Sequence, residues 1–261
     1  MRITVLMVAA GIVTAAPLRA QSVAEHVSAG VAARAARDPA AAVTHFQAAL
    51  AQDSTNYEAN LEAALALIDV GKATPDSVKS PARDSLYALA EVYARRAVAA
   101  NPGDAEGHFA LANAVGRASL TKSKKERIRR AAEIRSEALR AIELDPRHDG
   151  AYHVMGRWNA EIMRLSGMTR FLARSFLGAG IFKQASWQGA VTNMEKAVEL
   201  NPGRIYHRLD LAEVYVDRHR FADARSQLQQ IALLPVSDVL DPTYKEQAAE
   251  LLRRIADRKD S

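Results

Sequence analysis

Two stretches of sequence decide the fold: AYHVMGRW at residues 151–158 and GAVTNMEKA at residues 189–197. The second stretch places Ala190, Met194 and Ala197 at i, i+4 and i+7, so these three residues share one face of a helix. The first stretch also follows an alanine-rich helical segment and is predicted to be helical. Together they predict a pair of helices that pack against each other.

A proline dipeptide stands at each end of this region. Asp145-Pro146 precedes the first stretch and Asn201-Pro202 follows the second. Proline ends a helix because it has no amide hydrogen and its ring clashes with the preceding turn. Gly156, in the first stretch, is a small residue that lets another helix come close. A close helix pair with a closing proline is the pattern of a tetratricopeptide repeat (TPR) unit.

The same pattern recurs in phase along the chain. The closing positions align at Ser54, Pro102, Pro146, Pro202 and, one residue early, Pro235. Apolar residues occupy the turns before them, at Phe46/Ala49, Ala94/Ala97, Ala138/Ala141, Met194/Ala197 and Leu228/Ile231. After the first four positions comes an apolar pair that ends in a small residue, at Ala63-Ala64, Leu111-Ala112, Met155-Gly156 and Leu211-Ala212. We therefore predict an all-α fold, a TPR-like α-α superhelix (solenoid).

Three of the units are longer than the ~34 residues of an ideal repeat, and only the interval from Pro202 to Pro235 is close to it. We assign the additional residues to insertions between the first and second helix of three units, at 71–81, 117–125 and 165–187. The last helix has Leu251, Leu252 and Ile255 on one side, as expected of the cap that ends a solenoid. The predicted helices span 22–36, 38–52, 56–70, 82–100, 104–118, 122–144, 148–164, 168–177, 186–200, 204–217, 220–232 and 242–258.

The first twenty residues have the features of a signal peptide. A positive start at Arg2 is followed by an apolar run at 3–16, and Ala20 offers a small residue for cleavage. The run is short for a bilayer span, although an uncleaved anchor is the alternative. We expect residues 1–20 to be removed, leaving 21–261 as one TPR-like domain that is exported, periplasmic or secreted, monomeric and without a membrane-spanning segment.

The amino-acid composition limits the classes of ligand and partner that the chain is expected to bind. Of 261 residues 49% are hydrophobic, 25% are charged and 6% are aromatic, and cysteine is absent, which excludes disulfides and thiolate metal sites. Without the signal segment, 33 basic residues face 30 acidic ones, so the charge gives little support for a polyanionic partner. The basic run at 122–130 lacks interleaved aromatic residues, and we expect no nucleic-acid binding. A solvated helix face is the simpler explanation of this run, and contact with membrane phosphates is the alternative.

Several motifs carry a family resemblance. They are NPGDAEGH at 101–108, HDGAYHVMGRW at 148–158, Leu165-Ser166, Phe176-Leu177-Gly178 and Leu234-Pro235-Val236. In this order they resemble the regulator of microtubule dynamics family and its bacterial TPR relatives, over residues 84–255. The resemblance implies a helical scaffold without enzyme activity. Eukaryotic members are linked to microtubules and organelle membrane contacts, and some to phospholipid binding. An exported chain meets no microtubules, so we expect the scaffold and an apolar ligand groove to carry over, but not the name.

No catalytic or metal-binding constellation is evident. His148 and His153 are five residues apart and do not share a helix face, and the chain lacks the His-Glu-x-x-His pattern, the Gly-x-Ser-x-Gly elbow and the Gly-x-x-x-x-Gly-Lys phosphate loop. We therefore expect no enzyme activity, no cofactor and no metal.

The candidate binding site is the concave face, which the first helix of each TPR unit lines. Counting from the closing positions gives Phe109, Asn113, Arg117, His153, Arg157, Glu161, Tyr206 and Glu213 as ligand-binding residues. Arg157 and Arg117 would grip a carboxylate or phosphate, and Phe109 and Tyr206 would flank an apolar or peptide portion. The alternative is that Arg157 pairs with Glu161 or with Glu213 across the groove.

Two kinds of ligand follow from this groove. The first hypothesis is a scaffold that binds a protein or peptide segment. The second is a carrier of a phospholipid or other amphiphile, which would use the groove together with the apolar insertion at 165–187. This insertion would either cover an edge of the core or lie on a membrane. An open polar trough favours the scaffold, and an apolar cavity favours the carrier.

Overall fold

The computed structural model describes residues 21–176 and 180–260, and all regular structure in these ranges is helical. The predicted signal peptide at 1–20 lies outside the described residues. In the described part, the α-helices are α1 (Val23–Ala35), α2 (Pro39–Gln52), α3 (Tyr57–Lys72), α4 (Pro81–Ala100), α5 (Ala105–Ala118), α6 (Lys124–Leu144), α7 (Asp149–Arg164), α8 (Gly167–Phe176), α9 (Trp187–Leu200), α10 (Ile205–Asp217), α11 (Phe221–Leu233) and α12 (Asp241–Arg254). Short 3₁₀ helices occupy Ser119–Thr121 and Gly180–Gln184.

The helix starts are set by polar side chains just before the first turn. Ser22 accepts a hydrogen bond from the amide of Glu25 while the Glu25 carboxylate accepts one from the Ser22 amide, a capping box. The side chains of Asp38, Asn56 and Ser186 each accept a hydrogen bond from the amide three residues later and so cap α2, α3 and α9. Such caps satisfy amides that have no partner within the helix, which explains why the sequence predicts these boundaries within a few residues.

The helices form the two layers of a TPR solenoid. The pairs are α1/α2, α3/α4, α5/α6, α7/α9 and α10/α11, with α12 packed on the last pair. The first helices touch one another in the order α1, α3, α5, α7, α10, α12 and line the concave side. Each second helix packs between its own first helix and the next one, on the convex side. The predicted fold class, repeat phase and capping helix are confirmed.

Within residues 21–176 and 180–260, the core is a row of four apolar clusters between successive pairs rather than one central mass. Alanine allows close packing at the helix crossings, where Ala94, Ala97 and Ala138 are fully buried. At the α7–α9 crossing, a Cβ added to Gly156 would lie 2.5 Å from Cγ of Met194. Gly156 is therefore the close-contact residue that the sequence predicts.

The longest insertion, between α7 and α9, has two different halves. Phe182, in the 3₁₀ helix Gly180–Gln184, is buried in a cluster with Ala138 of α6 and Trp158 of α7. This half covers an edge of the core, as one of the two alternatives predicts. By contrast, Met168 and Phe171 of α8 are exposed. The predicted insertion residues 177–179 lie outside the described part of the chain.

The two ends of the solenoid meet. Arg37, after α1, donates a hydrogen bond from Nη1 to the carbonyl oxygen of Val236, at 3.2 Å. Lys72 at the end of α3 lies over the ring of Tyr206 on α10, with Nζ 5.7 Å from the ring centre. Helices α5 and α7 separate α3 from α10 in the inner layer, so the superhelix curves far enough to bring its ends together.

No helix in the described ranges has the length and apolar character needed to span a bilayer.

Candidate functional site

The candidate site lies where α7 and α10 run side by side on the concave face. His153, Arg157 and Glu161 follow one another at intervals of four residues on α7, and so share a stripe on that helix. On α10 the facing stripe is Tyr206, Asp210, Glu213 and Asp217. Helix α7 supplies most of the basic groups and α10 most of the acidic ones, so the two stripes are joined by ion pairs.

Arg157 is paired mainly with Asp210. Its Nη1 lies 2.9 Å from Oδ2 of Asp210, and Nη2 lies 3.6 Å from Oε1 of Glu161. The Asp210 side chain is 14% exposed, whereas Arg157 keeps 38% of its side chain exposed toward the groove. Arg157 therefore pairs with Glu161 only at the longer distance. Its closest partner is Asp210, which lies outside the predicted set of site residues.

These ion pairs form a polar seam between α7 and α10, and a second group of ion pairs continues it toward the C-terminal ends of both helices. Arg164 of α7 contacts Asp217 at 2.7 Å and Glu161 at 2.6 Å, and it lies 3.8 Å from Glu213. A cavity of about 210 Å³ opens beside this group. It is lined by Arg164, Glu213, Val216, Asp217, Leu251 and Arg254.

Behind the Arg157–Asp210 pair, four side chains form a hydrogen-bonded chain. Asp149 Oδ2 contacts Nε2 of His207 at 2.8 Å, Nδ1 of His207 contacts Nδ1 of His153 at 3.0 Å, and Nε2 of His153 contacts Asp210 at 3.0 Å. Two neutral imidazoles donate one hydrogen bond each, so one of the three contacts is left without a shared proton. Both rings are buried, and all four of their nitrogens are engaged in this chain.

Burial and charge shift the pKa values of this cluster in opposite directions. Burial lowers the pKa of His153 to about 4, despite the opposing effect of Asp210. Burial would raise the pKa of Asp210, but Arg157 and His153 outweigh it and hold that pKa well below its usual range. Burial together with nearby Asp210 raises the pKa of Glu213 to about 7. The site therefore holds one firmly ionised carboxylate and one that titrates near neutral pH.

Tyr206 forms the centre of an aromatic and cationic group. Its ring lies 4.8 Å from that of His153 and 6.2 Å from that of Tyr244, measured between centres. The Arg204 guanidinium lies over the Tyr206 ring at 5.2 Å from its centre, and Lys72 contacts the same ring. Burial raises the pKa of Tyr206 to about 12, so the hydroxyl keeps its proton.

The predicted residues of α5 lie apart from this cluster. Phe109 packs on His148, with ring centres 4.8 Å apart, at the join between α5 and α7. Arg117 forms an ion pair with Asp76 at 3.0 Å, and Asn113 is half-buried on the same helix. The structure thus brings together His153, Arg157, Glu161, Tyr206 and Glu213, while the α5 residues form a neighbouring part of the concave face.

Sequence reasoning missed Asp210, His207 and Asp149. Asp210 faces Arg157, whereas its neighbour Leu209 is buried in the core. The spacing held the signal, because Asp210 lies four residues after Tyr206 and three before Glu213, on one face of α10. Within the described ranges, no group of His, Asp and Glu is arranged to hold a metal ion.

Comparisons with known proteins agree with this architecture. Among solved structures, the thermophilic TPR protein TTC0263 of Thermus thermophilus aligns with a TM-score of 0.64 at 18% identity, over 88% of this chain and 100% of its own. PilF of Pseudomonas aeruginosa aligns with a TM-score of 0.51 at 14% identity, over 89% of this chain and 91% of its own. At these identities the likeness concerns the fold.

No curated protein matches the sequence. A family model does: that of regulator of microtubule dynamics protein 1-3, which matches residues 31–256, nearly all of the helical part of the chain. The chain therefore belongs to the regulator of microtubule dynamics protein 1-3 family.

Proposed function

We propose that this chain is a non-enzymatic scaffold that binds a segment of a partner protein in its concave face. The observation that carries the proposal is the polar seam between α7 and α10. Its side chains are paired with one another yet remain accessible, Arg157 at 38%, Glu213 at 43% and Glu161 at 52%. Concave surfaces of solenoids bind extended partners in this manner. The proposed contact surface is the predicted set, centred on Arg157, Glu161, Tyr206 and Glu213.

A carrier of a lipid or amphiphile is the competing function. An acyl chain would need an apolar lining, whereas the concave face presents Lys72, Arg157 and Glu213 together with Asp69 and Arg117. The wall that faces the groove is therefore charged along its length. This argues for a ligand with polar side chains, such as a peptide segment, and against an enclosed lipid tail.

The histidine chain supports a structural role more than a catalytic one. His207 is fully buried and its two nitrogens contact Asp149 and His153. A general base must reach a proton on its substrate, and here the imidazole nitrogens are directed at other residues of the chain. We also propose, from the features of residues 1–20, that the protein works outside the cytoplasm, apart from the microtubules in the family's name.

A peptide selection tests the proposal. Peptides enriched from a random displayed library on the immobilised mature chain would be synthesised, and their affinities measured by fluorescence anisotropy. Arg157→Lys keeps the positive charge beside Asp210 and should preserve the fold. Lysine cannot, however, make a planar two-pronged contact with a carboxylate of the bound peptide. We expect it to weaken peptide binding about tenfold, and Glu213→Gln to weaken it as well.

The matched control is Arg147→Lys, at an exposed arginine in the turn before α7, which should leave the affinities unchanged. Peptides that bind the parent and both concave variants equally well would place binding on another surface and overturn the proposal. If no peptide is enriched and mass spectrometry instead finds a phospholipid bound in stoichiometric amount, the carrier function replaces the scaffold.

A further inference from the structure

Helix α8 exposes an apolar side that the concave site does not use. Arg170 donates hydrogen bonds from Nη1 to the carbonyl oxygens of Met163 and Leu165, at 2.7 and 2.5 Å, at the end of α7. These bonds turn the Arg170 side of α8 toward the body of the protein. Met168 and Phe171, on the other side and three residues apart, are 69% and 60% exposed. Two large apolar side chains adjacent on one helix face indicate an interaction surface.

Basic residues occur on the segments next to this helix. The indole of Trp158 donates a hydrogen bond to the carbonyl of Ala131 at 2.7 Å, which fixes the second half of α7 against the first half of α6. Leu165, two residues before α8, and Ile128 of α6 pack against the same cluster, so the start of α8 lies near the first turns of α6. There Lys125 and Arg129 are exposed and four residues apart on one face, and Arg129 also pairs with Glu126 at 2.6 Å. Between Glu161 and Glu195 the sequence has no acidic residue, and its basic residues are Arg164, Arg170, Arg174 and Lys183.

A cavity of about 420 Å³ adjoins this surface, between α6 and the 3₁₀ helix Gly180–Gln184. Leu139 and Ile181 give it an apolar part, and Arg135 gives it a positive charge. The Arg135 guanidinium lies over the ring of Trp158, 5.7 Å from its centre, and within the described residues it forms no ion pair or hydrogen bond. The Nε of Arg135 is buried, and the side chain as a whole is half-buried beside this cavity.

We propose that α8, the 3₁₀ helix and the basic face of α6 form a surface that docks on an anionic lipid bilayer. Met168 and Phe171 enter the headgroup region, while Lys125, Arg129 and Lys183 face the lipid phosphates. An apolar helix side flanked by Lys and Arg is the combination that binds such surfaces, and each contribution alone is weak and reversible. A second copy of this chain is a poorer occupant, because a two-fold contact through this face would bring like charges together.

Vesicle flotation tests the proposal with the mature chain. The protein is mixed with phosphatidylcholine vesicles, or with vesicles of phosphatidylcholine and phosphatidylglycerol, and the floated fraction is measured. We expect flotation with the anionic vesicles alone, decreasing as salt is added. Met168→Ser with Phe171→Ser should lower the apparent affinity by about tenfold, and Lys125→Glu with Arg129→Glu should lower it by a similar factor.

Two control pairs match these variants elsewhere on the surface. Val31→Ser with Leu233→Ser removes exposed apolar side chains, and Lys79→Glu with Arg147→Glu reverses exposed charges; both pairs should float like the parent. Arg157→Lys should also float normally, which separates this surface from the concave site. The proposal is wrong if the parent stays unbound, or if control pairs lose as much binding as the α8 pair. A parent dimer that the α8 pair dissociates, seen by analytical ultracentrifugation, would assign the face to self-association instead.

Discussion

At the scale of single residues, the buried chain Asp149–His207–His153–Asp210 joins two neighbouring repeats. Its contacts run between the start of α7 and the middle of α10. Buried polar groups that are joined in this way specify one arrangement of the helices, because any shift leaves a donor or acceptor without a partner. The chain therefore helps to fix the register of α10 against α7, and it makes that register sensitive to pH.

The first prediction concerns this pH dependence. The folded pKa of His153 is about 4, below its ordinary value of 6.5, so the unfolded chain takes up a proton before the folded protein does. This contribution to stability is fully present above pH 6.5 and is lost as the pH falls toward 4, by up to about 3 kcal/mol. Urea unfolding across this range should show the loss in the parent and a smaller loss in His153→Gln.

His45→Gln, at a half-buried histidine of α2, should keep the pH dependence of the parent. Glu213 acts with the opposite sign. Its folded pKa, raised to about 7 from 4.5, makes the folded protein bind a proton first, so stability is gained as the pH falls through this window. Glu213→Gln should therefore steepen the loss on acidification. An identical pH profile for His153→Gln and the parent would contradict this account.

The second prediction concerns Gly156. A leucine there has to displace Met194, whose Cγ would lie 2.5 Å from the new Cβ. Gly156→Leu should lower the free energy of unfolding by about 1–3 kcal/mol or more, as overpacking does, and lower the melting temperature. Gly167→Leu is the matched control, because a Cβ at Gly167 meets no atom within 4 Å. Equal melting temperatures for the two variants would show that α7 and α9 do not cross at Gly156.

At the scale of helices, the insertion between α7 and α9 has two parts in different environments. Its 3₁₀ helix buries Phe182 against α6 and α7, and its α-helix α8 leaves Met168 and Phe171 in solvent. The buried half fixes the position of the exposed half. An exposed apolar helix needs such an anchor if it is to present a defined surface to a partner rather than collapse onto the nearest core.

The third prediction follows from this division. Phe182→Ala should lower the free energy of unfolding by about 3–5 kcal/mol, because it leaves a cavity in a packed cluster. Phe171→Ala removes the same side chain from an exposed position and should change it by less than about 0.5 kcal/mol. Thermal and urea unfolding of the two variants measure this difference. Comparable destabilisation by both would mean that α8 packs on the core in solution.

At the scale of the whole molecule, the solenoid closes on itself. Contacts between the region after α1 and the loop before α12, and between α3 and α10, join repeats that are distant in sequence. Burial raises the pKa of Asp69 on α3, and nearby Asp238, in the loop before α12, adds to this effect. Contacts between distant repeats therefore cross the concave side, and the two ends of the superhelix lie close together.

The fourth prediction tests this closure. Because the chain has no cysteine, a pair introduced as Ala36→Cys and Val236→Cys can be joined by a short bis-maleimide without competing reactions. We expect rapid intramolecular cross-linking, detected as a shift in electrophoretic mobility. The pair Ala36→Cys and Arg129→Cys, with the second cysteine on the convex helix α6, should react much more slowly. Similar rates for both pairs would indicate an open solenoid.

The sequence by itself determined the local and the repeated features. Helix limits agree with the structure within a few residues because caps, prolines and apolar periodicity act over one or two turns. The phase of the repeats followed from small residues such as Gly156, which are needed wherever a unit of this kind packs its two helices. The concave stripe of α7 was also predictable, since its spacing is a property of one helix.

Only the tertiary structure decided which groups meet between units. The pairing of Arg157 with Asp210, the burial of His207 and the contact of Arg37 with Val236 depend on crossing angles that accumulate from repeat to repeat. The sequence likewise did not distinguish the two halves of the 165–187 insertion. Both halves are apolar, and the spacing of their residues does not show which half is buried against the core and which is exposed. Local chemistry sets each helix, but the curvature that adds up over the helix pairs of the described chain sets the contacts between units.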